Sequence, residues 1–285
     1  MEDKKNKHPK VGLALSGGSA LGIAHIGVIK CLMEHNIPID CVAGTSAGAI
    51  AAVCVAFDVP IPKMIEMSKG LSWTNISEFG HSKMGLNSNR PMGEIIEDMV
   101  GYHAKIEDAH IPLAIIATNI DTGEEVVFHK GDVAEAVMAS TCLPAFFVPV
   151  KARRRKLVDG GLVENLPLSP LKNMGAQIKI GVDLSRFRTY KKAHNIIDVI
   201  TNSYSILTKP QSAIAPGQVD VLIEPHLEKF NTSDFGKVNE LMEEGHRAAE
   251  LMMPQIKKLM AGSACEKKGF FQKIICFFKG KNADE

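Results

Sequence analysis

The pentapeptide Gly44-Thr45-Ser46-Ala47-Gly48 constrains this chain more than any other stretch. A short apolar segment, Cys41-Val42-Ala43, leads into it, and a run of small and apolar residues, 49–56, leads out. That order predicts strand, tight turn, helix, the context in which G-x-S-x-G forms a nucleophile elbow. A serine on such a turn takes a strained backbone conformation that pushes its Oγ out beyond the sheet edge. The flanking glycines let strand and helix approach, and the helix aims N–H groups and a partial positive charge at any anion forming there. An ordinary strand-to-helix turn that happens to carry a serine has the same local pattern, so the rest of the chain has to decide.

Upstream, residues 11–15 form an apolar strand that runs into Ser16-Gly17-Gly18-Ser19-Ala20-Leu21-Gly22 and then into a helix ending near His35. Such a loop can turn backbone N–H groups toward one point. The pattern Gly17-Gly18-x-x-x-Gly22 is neither G-x-G-x-x-G nor G-x-x-x-x-G-K-[ST], and no acidic residue closes a second strand about 20 residues on, which argues against a nucleotide. Downstream, strands are expected at 113–118, 125–129, 146–150, 156–158, 177–183 and 219–223. Helices are expected at 61–70, 91–100, from 132, at 194–207, and over 238–260 with an interruption at Pro254. Strands alternating with helices predict an α/β fold with a largely parallel sheet. Residues 72–89, which carry the sole tryptophan, Trp73, read as a surface loop or a lid.

A serine hydroxyl needs a base to take its proton and donors to hold the resulting oxyanion. Two sets of residues compete for the base. Asp183 and His226 follow the serine in the chain order of an α/β-hydrolase triad, although only one clear strand precedes the elbow. Alternatively, Asp159 follows the short strand 156–158 and precedes Gly160 and Gly161, which permit close approach. A partly desolvated carboxylate within reach of the Oγ is a competent base; a turn aspartate satisfying its own backbone is the structural alternative. His25, one turn into the first helix, reads as a packed helix histidine.

The segments 15–28 and 44–48, with Asp159-Gly160-Gly161, occur in an order that resembles the patatin-like phospholipase family. Ala117-Thr118-Asn119-Ile120-Asp121-Thr122-Gly123, Ala139-Ser140-Thr141-Cys142-Leu143-Pro144 and Asn165-Leu166-Pro167 add to the resemblance, which covers roughly residues 10–225. It implies a three-layer patatin-like fold and a Ser46–Asp159 dyad without histidine or metal. It also implies an oxyanion hole from Gly17, Gly18 and the Ser19 N–H, with Gly22, Gly44, Gly48, Gly160 and Gly161 as motif glycines. The implied reaction is hydrolysis of fatty-acyl esters of phospholipids or lysophospholipids through an acyl-enzyme, with no cofactor. A non-catalytic lipid-binding protein, a thioesterase or a transacylase on the same scaffold are the alternatives. Many members have a glycine where Ser19 stands and an arginine where Leu21 stands. Serine keeps the N–H provided the conformation does not require a positive φ.

The six cysteines include no C-x-x-C pair, which predicts buried thiols in a reducing compartment and no zinc site. A net charge of +1 offers no global attraction to nucleic acid, and no apolar run approaches the ~20 residues of a membrane span. These readings predict a cytoplasmic protein with a disordered leader (1–9), one acyl-hydrolase domain (10–262) and a basic amphipathic tail (263–285). In that tail Phe270, Phe271, Ile274, Ile275, Phe277 and Phe278 alternate with Lys267, Lys268, Lys273, Lys279 and Lys281. The pattern of 267–281 suits peripheral contact with the inner face of a membrane, or packing as a terminal helix on the domain or on a partner subunit.

Overall fold

The computed structural model describes residues 8–279 except 80–81, 153, 188–189, 191 and 209–216, and excludes the side chains of 263–279. The expected leader, save His8 and Pro9, and the phenylalanine and lysine face expected at 267–281 lie outside the described residues.

The chain begins with β1 (Val11–Leu15), a 3-10 turn (Ser19–Ile23) and α1 (Ala24–Glu34), then β2 (Cys41–Thr45) and α2 (Ala47–Ala56). It continues through α3 (Ile61–Gly70), β3 (Glu78–Phe79), β4 (Asn87–Ser88), α4 (Arg90–Val100), β5 (Leu113–Asn119), β6 (Glu125–Phe128) and α5 (Val133–Ser140). The last elements are β7 (Val150–Ala152), β8 (Arg155–Asp159), α6 (Ser169–Asn173), β9 (Ile178–Val182), α7 (Ile196–Thr208), β10 (Val221–Ile223) and α8 (Val238–Lys279).

The central sheet runs β10-β9-β1-β2-β5-β8-β7, with β6 also on β5. The five strands from β10 to β5 are mutually parallel, and β6, β7 and β8 are antiparallel additions. This is the expected α/β fold, with a mixed, mostly parallel sheet between helical layers. The period-2 alternation along the strands sorts residues by size. Val11, Leu13 and Leu15, with Val42 and Ile115, face one large core shared with α1, α2, α4, α5 and α8. Ala14, Cys41, Ala43 and Ala114 face the other side, where Leu166, Leu168 and Leu171 around α6 cover them. Small residues on that face let a short connection lie close to the sheet. α2 is apolar all round and nearly every residue is buried, as befits a helix enclosed by the fold.

The interruption expected at Pro254 does not occur; α8 runs through it. The proline is exposed, and it leaves the carbonyl one turn earlier without a helical N–H donor.

Candidate active site

The register on β5 brings the site together. β2 lies parallel to β5 and its last pair is Thr45 with Ile116. β6 occupies the opposite edge from Ile115 to Thr118. β8 arrives antiparallel on the β2 edge, with Asp159 opposite Ala117. The C-terminal ends of β2 and β8 therefore abut along a single edge, at consecutive β5 positions. Ser46, one residue past β2, and Asp159, the last residue of β8, meet across a sequence separation of 113.

Ser46 has φ 54° and ψ −124°, a conformation that a non-glycine residue adopts only when its surroundings enforce it. A Cβ on Gly48 would lie 2.1 Å from the Leu15 carbonyl oxygen, and one on Gly44 would lie 2.3 Å from the Gly48 oxygen. Both motif glycines are thus required for the helix to start against the sheet. The Ser46 N–H donates to Ser140 Oγ at 2.8 Å, which holds the elbow against α5.

Ser46 Oγ donates to Asp159 Oδ2 at 2.6 Å. The other carboxylate oxygen, Oδ1, accepts from the Gly161 N–H at 2.9 Å and from the Tyr204 hydroxyl at 2.5 Å. Asp159 is 2% exposed. Burial drives its pKa up from 3.8 to about 6, against the opposing pull of the hydrogen bonds from Ser46, Tyr204 and Gly161. The group is ionised at neutral pH yet basic enough to accept a proton.

The glycine loop passes beside this pair. The Gly17 N–H donates to the Asn165 carbonyl at 3.1 Å, so of the three amides expected to face an oxyanion this one is already engaged. Gly17 supplies room, since a Cβ there would lie 3.2 Å from Ser46 Cβ. The amides of Gly18 and Ser19 have no hydrogen-bond partner among the described residues, and both residues line the cleft at Ser46. Ser19 has φ 53°, so the position does require the left-handed conformation, and the serine adopts it with strain. Gly22 packs on Ala47 at the start of α2, and Gly160 packs on the Ile116 carbonyl of β5. His25 is fully buried, and its Nε2 lies 2.8 Å from the Ser16 carbonyl. Burial lowers its pKa to about 4, so the ring is neutral and donates this bond, bracing the loop.

Above Ser46 and Asp159 opens a cleft of about 1090 Å³, its mouth included, walled mainly by Ile50, Met64, Met67, Trp73, Met92 and Phe147. Trp73 stands edge-on to Phe146 and Phe235, with centroids 4.9 and 5.7 Å away. Part of segment 72–89 is therefore cleft wall: Trp73, Ile76 and Asn89 line it. The competing triad is not assembled. The Ser46 hydroxyl bonds to Asp159. His226 is half-exposed, stacked on Phe187 at 4.1 Å and 3.4 Å from Glu228, while Asp183 Oδ1 accepts from the Ser185 N–H.

Sequence reasoning missed Tyr204 and Ser140. Tyr204 sits on α7, 45 residues after Asp159, in a segment that the sequence marks only as helical. Ser140 was noted only as part of a matching segment. Its contact with the elbow depends on how α5 packs against α2, which no local spacing encodes.

Residues 13–172 match the family model described as patatin-like phospholipase. An uncharacterized NTE family protein of Mycobacterium tuberculosis is 33% identical over 180 residues, which cover 62% of this chain and 49% of the relative. The lysophospholipase NTE1 of Kluyveromyces lactis is 29% identical over 276 residues, covering 83% of this chain and 18% of that protein. The chain thus spans about half the length of the mycobacterial relative. Among solved structures, VipD from Legionella pneumophila shares the fold with a TM-score of 0.58 at 14% identity, over 88% of this chain and 67% of VipD.

Proposed function

Since the chain belongs to the patatin-like phospholipase family, we propose that it hydrolyses lipid acyl esters, with Ser46 as nucleophile and Asp159 as the general base. The observation that carries this reading is the 2.6 Å bond from Ser46 Oγ to a buried, otherwise fully hydrogen-bonded carboxylate, on the floor of an apolar cleft.

An acyl chain lies against the cleft wall and its ester carbonyl rests over Ser46. As Oγ attacks the carbonyl carbon, Asp159 Oδ2 takes the hydroxyl proton, and charge develops on the carbonyl oxygen. The unpartnered amides of Gly18 and Ser19 receive that charge. Each such preorganised donor is worth about 3 kcal/mol or more in a water-poor site. Collapse expels the alcohol, which leaves with the proton held by Asp159, and the acyl group stays on Ser46. Asp159 then deprotonates a water that attacks the acyl carbonyl. Release of the fatty acid returns the proton to Ser46 Oγ. The helix start at Ala47 adds a partial positive charge beside both tetrahedral intermediates. Tyr204 and the Gly161 N–H hold Oδ1 so that Oδ2 faces the serine.

The test is release of free fatty acid from phospholipid and lysophospholipid esters by the full chain and by Ser46→Ala. Loss of at least about a thousandfold in turnover, with the fold retained, is expected. Undiminished hydrolysis by the variant would refute the assignment.

A further inference from the structure

α1 and α8 are in backbone contact. A Cβ on Gly27 would lie 1.9 Å from the Met242 carbonyl oxygen, and one on Gly245 would lie 1.9 Å from that of Ala24. This closeness brings together two pairs of residues spaced four apart, Cys31 with His35 and His246 with Glu250, and residues so spaced share one helix face.

The donor atoms of Cys31, His246 and Glu250 all lie within 4.8 Å of one another. Cys31 Sγ is 3.2 Å from Glu250 Oε2. Tetrahedral zinc, with bonds near 2.0 to 2.3 Å, requires its ligand atoms about 3.4 to 3.6 Å apart. Small side-chain rotations therefore suffice. Cys31 is fully buried, whereas the His246 and Glu250 side chains are 35% and 51% exposed. The site is closed on the sulfur side and open to an entering ion and a water on the other. Around it stand groups suited to an outer shell. Lys257 Nζ lies 3.0 Å from His35 Nδ1, which directs the His35 Nε2–H at Glu250 Oε2, 2.7 Å away. Glu34 Oε2 is 2.7 Å from His246 Nε2.

We propose that Cys31, His246 and Glu250 form a binding site for a borderline-soft divalent cation of the zinc class, which ties α1 to α8. A thiolate and a carboxylate neutralise its charge, and the imidazole completes a sulfur, nitrogen and oxygen set that favours zinc or cobalt over magnesium or calcium. On binding, the thiol proton passes to solvent and a ring nitrogen of His246 joins the metal, with water in the fourth position. No zinc spacing is visible along the chain because Cys31 and Glu250 are 219 residues apart.

The test is cobalt titration of the chelator-stripped full chain carrying Cys265→Ser and Cys276→Ser, which removes two thiols from the tail. One equivalent of Co²⁺ is expected to bind with a thiolate-to-cobalt charge-transfer band, and Zn²⁺ should displace it and raise the Tm. Cys31→Ser should abolish the band, and His246→Ala should weaken cobalt binding by at least about tenfold. A cooperative melt shows that each variant is folded. No band with Cys31 intact, a full band in Cys31→Ser, or unchanged affinity in His246→Ala would each overturn the proposal. None of these outcomes depends on whether Ser46 is a nucleophile.

Discussion

Water treats two clusters of ionisable side chains in this molecule in opposite ways. At the end of β8, Asp159 is sealed from solvent and its pKa is driven up. Between α1 and α8, Glu34 and Glu250 are solvent-exposed, and their imidazole partners His246 and His35 draw the carboxyls below their usual range. Burial dominates at Asp159, whose donors are neutral, whereas the imidazole hydrogen bonds dominate at the exposed pair.

Asp159→Asn should break the comparison most sharply. Turnover should fall by about 10² to 10⁴-fold, because the general base is gone while geometry is kept. Stability should move the other way. A carboxyl whose folded pKa lies above its unfolded value binds its proton more tightly in the native state. Its contribution is therefore present below about pH 3.8 and is lost as pH rises through about 6. At neutral pH the ionised group costs on the order of 3 kcal/mol relative to a neutral one, so the asparagine variant should melt higher, as calorimetry at pH 7 would register. A lower Tm would show that the charge is well solvated after all.

Tyr204→Phe comes next. Its hydroxyl stabilises the ionised carboxylate, so removing it should raise the Asp159 pKa further and move the acid limb of the pH–rate profile to higher pH, with about a tenfold loss near pH 6. An unmoved limb would remove Tyr204 from the account. Ser19→Gly should relieve a left-handed serine and stabilise the fold by about 1 kcal/mol, read as a shift in the denaturation midpoint. Smallest is Glu34→Gln in the exposed cluster: a fall in Tm smaller than any of the shifts above, shrinking with added salt. A larger or salt-independent effect there would erase the contrast.

What the sequence revealed divides along a similar line. The elbow, the glycine loop and the Asp132 cap, whose side chain accepts from the Glu135 N–H at 2.8 Å, are local. Residue types a few positions apart fix them, so they were legible. The meeting of Ser46 with Asp159 could be anticipated through family resemblance, but its cause, two strand ends abutting along β5, is a register that no spacing displays. Tyr204 was invisible because one face of a helix selects its partner only after the helix docks. The engagement of the Gly17 amide by Asn165 and the positive φ of Ser19 were hidden likewise, since both follow from how the loop is pinned to distant backbone. Pro254 reads as a break, yet α8 runs through it with the proline on an exposed face.

Fluorophosphonate labelling across pH, with the labelled residue mapped by mass spectrometry, tests most directly whether burial makes Asp159 the base for Ser46. Modification should fall on Ser46, slow as pH drops through about 6, and nearly vanish in Asp159→Asn. Absence of label at Ser46, or an unchanged rate in the asparagine variant, would contradict it.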